Sequence, residues 1–224
     1  MRSLGRLADF TAGRDFHPAL KISVIFDIQY TMFDGKCNRV LTLSIFGSKM
    51  YDSEVSALDK KRSCCFTGHR EGKLPWGSRE NDSRCEALKE SIYAAVEALY
   101  RGGVRYFICG MATGCDFYFC EAVIALREIH GDITLEAAIP FEGQSRSWSG
   151  EQRRRYERLI SLCDYHTVVQ KEYSSDCYMR RNRYMVDSSA VLVAAYNGRP
   201  GGTMSTLLYA IRQGLEVIQL PIEE

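Results

Sequence analysis

Three short stretches carry residue types that can handle an anion. In "TGHR", Gly68 is followed at once by His69 and Arg70. In "GMATGCD", Gly110 and Gly114 bracket small residues ahead of Asp116, and Thr113 adds a hydroxyl. In "NGRPGGTMST", Gly201, Gly202 and Thr203 follow Asn197 and Arg199. Glycine-rich turns let backbone N–H groups approach an anion, and a helix N-terminus behind them adds a favourable dipole. An arginine can clamp a phosphate. A histidine can move a proton or donate to a ligand. Each stretch also has a plainer reading. "GMATGCD" can be a tight strand–helix turn with Asp116 in the first helical turn. Thr203 can be a simple N-cap, and His-Arg pairs are common on surfaces. Neither the GxGxxG dinucleotide fingerprint nor a GxxxxGK[ST] loop occurs.

Further candidates follow "ITLEAAIP". Trp148 has an indole that can stack on a nucleobase, and Gln144 can read a base edge, although a tryptophan is more often packed. In "DCYMRRNRYMVD", Arg180, Arg181 and Asn182 are available donors, with Asp187 at the far end. For acid–base chemistry the candidates are His69, Asp116 and Glu142. "RRRYER" at 153–158 reads as a solvated helix face, since it lacks the interleaved aromatic platforms of a single-strand binder. The nine cysteines lie mostly in apolar segments, and no two have the two-residue gap of a zinc knuckle or redox motif. They read as free, reduced, buried thiols. No metal site and no cofactor is expected.

These turns need strands and helices to place them. From Lys61 onward apolar runs of strand length alternate with helical patterns. "SCCFT", "VRYFICG", "ITLEAAIP", "YHTVVQ", "AVLVAAYNG" and "EVIQLP" read as strands. Between them, "DSRCEALKESIYAAVEALYRGG" has a cap at Asp82 or Ser83, apolar residues at helical spacing and a Gly102-Gly103 stop. "CDFYFCEAVIALREIHG", "GEQRRRYERLISLC", "DCYMRRNRYMVDSS" and "TMSTLLYAIRQG" are the other helices. The alternation predicts an α/β fold, a doubly wound, mostly parallel sheet with helices on both faces. In such a sheet, ligands bind beyond the carboxyl ends of the strands, where the three stretches fall.

Residues 1–60 lack this rhythm and are expected to form an N-terminal extension, irregular or a β-hairpin. "KISVIFDIQY" and "RVLTLSIFG" can pair around "TMFDGKCN", and Met50 would be a natural start. The domain proper is expected at 61–224. With 29 basic and 28 acidic residues the net charge is +1, which points to neither nucleic acid nor an anionic membrane as a partner. No apolar run approaches the ~20 residues of a membrane span, and the opening lacks a secretory layout. A cytoplasmic location is expected, and a homodimer is compatible with the sequence.

Taken in order, "FTGHR", "GMATGCD", proline followed by "Q…W", and "RNRYMVDSSAVLVAAYNG…GGT" resemble the YpsA-like family of the SLOG superfamily. The resemblance runs from about Lys61 to Glu224. Its relatives include the DNA-processing protein DprA and the "lonely guy" phosphoribohydrolases. It implies a Rossmann-like nucleotide-ligand fold and a pocket built from Gly68, His69, Arg70, Gly110, Thr113, Gly114, Asp116, Gln144, Trp148, Arg181, Asn182, Asn197, Gly201, Gly202 and Thr203. The chain departs from the phosphoribohydrolase motif Pro-Gly-Gly-x-Gly-Thr-x-x-Glu. Pro200, Gly201 and Gly202 match, but Met204, Ser205 and Leu208 stand where glycine, threonine and the glutamate belong. Leucine cannot stabilise an oxocarbenium-like centre. The first expectation is therefore binding, or sensing, of a nucleotide or an ADP-ribose-like derivative. Hydrolysis of a nucleotide N-glycosidic bond is second, and DprA-like single-stranded DNA binding is last.

Overall fold

The computed structural model describes residues 24–33, 36–45 and 60–223. The chain divides into two compact units, Met1–Ser56 and Ala57–Glu224. In the first, β1 (Val24–Phe33) and β2 (Lys36–Ile45) form an antiparallel hairpin, the pairing anticipated for these two runs. The irregular opening and Met50 lie outside the described residues.

The second unit is a six-stranded, all-parallel sheet. Its strands are β3 (Ser63–Gly68), β4 (Tyr106–Cys109), β5 (Thr134–Ile139), β6 (Tyr165–Val168), β7 (Val191–Tyr196) and β8 (Glu216–Pro221). The sheet order is β6-β5-β4-β3-β7-β8. Five helices make the crossovers among the described residues: α1 (Ser83–Arg101), α2 (Cys115–Ile129), α3 (Gly150–Ser161), α4 (Cys177–Asp187) and α5 (Gly202–Arg212). This is the doubly wound fold expected from the alternation.

The winding reverses once, and that reversal creates the site. From β3 the chain steps outward through β4 and β5 to β6, so right-handed crossovers put α1, α2 and α3 on one face. It then returns to β7 and steps the other way, which puts α4 and α5 on the opposite face. Neighbours β3 and β7 therefore send their C-terminal connections in opposite directions, leaving a crevice between them.

Packing explains why the central strands read so clearly. Sheets covered on both faces have strands that are apolar throughout. Successive side chains alternate, so Cys64 and Phe66 join the α1–α2 core with Phe107, Phe119 and Leu135. Cys65 joins the α4–α5 core with Ile108, Leu192, Met185 and Ala210. The helices follow from their own patterns. In α1, Cys85, Leu88, Ile92, Ala95, Val96 and Leu99 form the buried stripe, and the Asp82 side chain caps the start by accepting from the Arg84 N–H at 3.0 Å. Helix α3 opens with a capping box between Ser149 and Gln152.

Candidate functional site

Two adjoining clefts open at the C-terminal ends of β3 and β7 and share His69 and Lys73. The inner one, about 260 Å³, is lined by Gly68, Arg70, Asp116, Tyr178, Arg181, Asn182, Gly202 and Thr203 among others. The outer one, about 390 Å³, is lined by Leu74, Pro75, Asn197, Arg199 and Pro200 among others.

Backbone geometry brings the first stretch against the second. Gly68 ends β3, where a Cβ would run into the Cys115 Cβ and come within 2.9 Å of the Phe66 ring. Only glycine lets β3 pass the N-terminus of α2 this closely. Gly114 has φ +89°, and a Cβ there would sit 2.6 Å from the Glu71 nitrogen and 2.9 Å from the His69 oxygen. The Cys115 N–H instead donates to the His69 carbonyl at 3.2 Å. The third stretch is tied to the first as well. The Thr203 hydroxyl donates to the Gly68 carbonyl at 3.2 Å, so Thr203 is bound to β3 and is not a cap of its own helix. Helix α5 starts on Gly201 with no side-chain cap, leaving its first-turn N–H groups near the cleft without a side-chain acceptor.

Side chains then divide into an inner, dry set and an outer, exposed set. Asp116 and Arg181 are both buried, with Nη1 and Oδ2 4.0 Å apart. Asp116 also accepts from the Ala112 N–H at 3.0 Å. Arg181 donates to the carbonyls of Gly110 and Ala138, and to the Asn182 Oδ1 at 2.8 Å. Gly110 is pinned in this knot, because a Cβ there would strike the Arg181 guanidinium. Burial pushes the Asp116 carboxyl above the ordinary aspartate range, with Arg181, the Ala112 N–H and Arg70 pulling back against it. Burial likewise pulls Arg181 down, with Asp116 opposing. Dehydration therefore outweighs pairing for both partners.

His69 is buried, and its Nε2 shares a 2.5 Å hydrogen bond with the Asn197 Oδ1. Asn197 also accepts from the Arg199 N–H at 3.2 Å, closing the turn after β7. Asn182 donates to the Thr206 hydroxyl at 2.7 Å, joining α4 to α5. Arg70 is exposed, and its guanidinium lies over the Tyr178 ring, 4.5 Å from the centroid.

The structure thus gathers Gly68, His69, Arg70, Asp116, Arg181, Asn182, Asn197, Gly202 and Thr203 around the clefts. Gly110, Gly114 and Gly201 shape the turns behind them, and half-buried Thr113 sits on the same turn. Gln144 and Trp148 go elsewhere. The Gln144 amide is buried and donates to the Met111 carbonyl at 3.0 Å, supporting a residue with φ +56°. Trp148 packs edge-on against Phe117 and Tyr156, with centroids 6.0 and 5.4 Å away. Glu142 is exposed on the loop after β5, outside the residues lining either cleft. Arg180 is exposed and pairs with Asp176 at 2.6 Å.

Sequence reasoning missed Lys73 and Tyr178. Lys73 ends a short 3-10 turn, Glu71–Lys73, that folds the chain back over the crevice. That loop is held from α3: Gln152 donates to Glu71 at 2.8 Å, and Arg155 pairs with both Glu80 and Glu121. The only signal was a lysine three residues beyond Arg70. Tyr178 carried none beyond its place in the first turn of a helix that starts near the strand ends.

Among relatives, the SPbeta prophage-derived protein YoqJ of Bacillus subtilis (strain 168) is 33% identical over 136 residues, 55% of this chain and 80% of that protein. A UPF0398 protein of Bacillus anthracis (strain A0248) is 23% identical over 154 residues, 67% of this chain and 83% of it. Two solved structures are similar in fold. Against DNA processing protein A from Streptococcus pneumoniae the TM-score is 0.48 at 15% identity, covering 73% of this chain and 52% of that one, about half its length. Against DNA processing protein A from Helicobacter pylori it is 0.49 at 14% identity, covering 74% and 68%. The model of the YspA SLOG family matches residues 64–222, and the chain belongs to that family.

Proposed function

We propose that the paired clefts bind a nucleotide or nucleotide-derived anion, such as an ADP-ribose-like molecule. One observation carries this reading. Among the described residues the clefts are lined by Arg70, Lys73, Arg181 and Arg199, against the single carboxylate of Asp116. The whole chain is near neutral at +1, so the cationic lining is local. A concave site with a few convergent polar groups suits a small ligand. The start of α5 at Gly201-Gly202 adds N–H groups and a helix dipole on the same side. The carboxylate of Asp116 suits hydroxyl groups of a sugar better than a second phosphate.

A second reading, hydrolysis of a nucleotide N-glycosidic bond, is favoured by one observation. Burial holds the Asp116 carboxyl high, which suits a proton donor. Binding a nucleotide matches a cytoplasmic protein, and the free thiols fit a reducing compartment. No described helix is long and apolar enough to cross a membrane.

Isothermal titration with nucleoside mono- and diphosphates, ADP-ribose and ribose 5-phosphate, at low and moderate salt, tests the reading. Saturable binding that weakens with salt is expected. Silence across the panel from folded protein refutes it. Release of free base, lost in His69→Ala or Asp116→Ala, would promote the hydrolase. Binding confined to single-stranded DNA in gel shifts would replace both with nucleic-acid recognition.

A further inference from the structure

A phosphate reading leaves open what the rest of the ligand touches. Trp148 is committed edge-on to Phe117 and Tyr156. Of the aromatic rings lining the clefts, Phe66 is fully buried and stacked on Phe119 at 4.7 Å and 16°. His69 is buried and tied to Asn197. Tyr178 remains. It lines the inner cleft, is half-buried, and carries the exposed Arg70 guanidinium over its face at 4.5 Å. Phe141 meets Tyr178 edge-on at 6.1 Å and 79°, and Tyr173 meets Phe141 edge-on at 5.3 Å and 76°. Phe141 thereby braces the ring edge-on while Arg70 lies on its face.

We propose that Arg70 and Tyr178 form a stacking platform for a planar heteroaromatic ring, so that the ligand is a phosphate ester carrying a nucleobase-like group. The inference rests on the anion-binding reading and deepens it. A guanidinium is planar and stacks on aromatic faces, which a lysine ammonium cannot reproduce. Its N–H edges stay free to reach an anion while its plane, or the tyrosine plane beneath it, meets the ring. Lys73 and the start of α5 hold the phosphate end within the same cleft. The platform is thus a selectivity device. It distinguishes a nucleotide from a bare sugar phosphate of equal charge.

The test compares AMP, UMP and ribose 5-phosphate by titration calorimetry on the full chain. Proteins are wild type, Tyr178→Leu, Tyr178→Phe and Arg70→Lys, each checked for native melting. Base–aromatic stacking predicts that Tyr178→Leu weakens AMP binding about 5- to 100-fold and leaves ribose 5-phosphate within about twofold. Tyr178→Phe keeps the wild-type preference. Arg70→Lys, which keeps charge and loses the plane, narrows the AMP to ribose 5-phosphate ratio in the same sense. Wild-type protein that binds AMP and ribose 5-phosphate equally overturns the platform and leaves the anion site standing. Equal losses for both ligands in Tyr178→Leu do the same. If no phosphate ester binds at all, the anion reading itself fails and the platform falls with it.

Discussion

Replacing Arg181 by methionine tests whether the floor of the cleft is a dry ion pair. The substitution keeps much of the side-chain volume and removes the charge. It also removes the donors to the Gly110 and Ala138 carbonyls. The Arg181 and Asp116 side chains are 5% and 7% exposed, so water screens neither. Removing one partner of a buried pair costs about 3–5 kcal/mol. A domain of this size loses roughly 2–4 °C of melting temperature per kcal/mol, so Tm should fall by about 6–20 °C. The loss depends on pH in a definite sense. Burial holds the folded Asp116 carboxyl above the ordinary aspartate value of about 3.9. The native state therefore keeps its proton longer than the unfolded chain as pH rises. Well below a pH of about 4 the carboxyl is neutral in both states, and the penalty for a lone buried charge is absent. As pH rises through the folded value the penalty appears in full. Without Arg181 that folded value climbs further, so the deficit should be larger at pH 8 than at pH 5. Urea titrations of wild type and Arg181→Met at both pH values measure it. Asp116→Asn/Arg181→Met keeps an acceptor for the Ala112 N–H, leaves no charge unpaired, and should recover a good part of the loss. A single variant within about 0.5 kcal/mol of wild type, or a deficit identical at both pH values, would refute a dry pair.

Two further outcomes follow from packing and thiol chemistry. Gly68→Ala places a methyl against Cys115 and the Phe66 ring, so it should destabilise the domain by about 1–3 kcal/mol. An unchanged urea midpoint would mean that β3 and α2 can separate freely. Among the eight described thiols, Cys163 is the one that is not fully buried, and its thiol is lowered by a hydrogen bond from Cys120 with help from Arg127. Burial instead pushes Cys65 up to about 12. Iodoacetamide at neutral pH should therefore alkylate Cys163 first of the eight, as read by peptide mass mapping. Equal early labelling of Cys65 would count against the described burial.

The central strands β3, β4, β5 and β7 were legible because they are buried on both faces, so each appears as a largely apolar run, whereas the edge strands β6 and β8 are more exposed. Cys64 and Cys65 are adjacent and point to different cores, yet both are apolar, and the run reads the same either way. The clefts were legible to the extent that they are made of strand ends, because the winding rule fixes where those ends converge. Gln144 and Trp148 follow a strand end too, and there the rule fails. It places a backbone, whereas the direction of a side chain in a loop is chosen by its packing partners. Met111, with its positive φ, claims the Gln144 amide, and Phe117 and Tyr156 claim the indole. Lys73 reaches the crevice only because Gln152 and Arg155, far along the chain on α3, hold the 71–80 loop in place. No local pattern encodes contacts at that separation.

Whether such a site holds its ligand or breaks it turns on which groups are free to act. N-glycosidic cleavage needs a carboxylate that can stabilise a developing cation at the sugar carbon or activate water. Among the described residues the one carboxylate lining the clefts, Asp116, spends Oδ2 on the Ala112 N–H and faces Arg181 across 4.0 Å. Glu142 stands outside both clefts, and Leu208 occupies the position of the phosphoribohydrolase glutamate on the exposed side of α5. His69, the other proton carrier, is already bonded to Asn197. The cations are placed differently. Arg70 and Lys73 are exposed at the cleft mouth, where an arriving anion meets them before it meets Asp116. A carboxylate committed to its neighbours and two exposed cations at the cleft mouth fit the proposed retention of an anion better than attack on it.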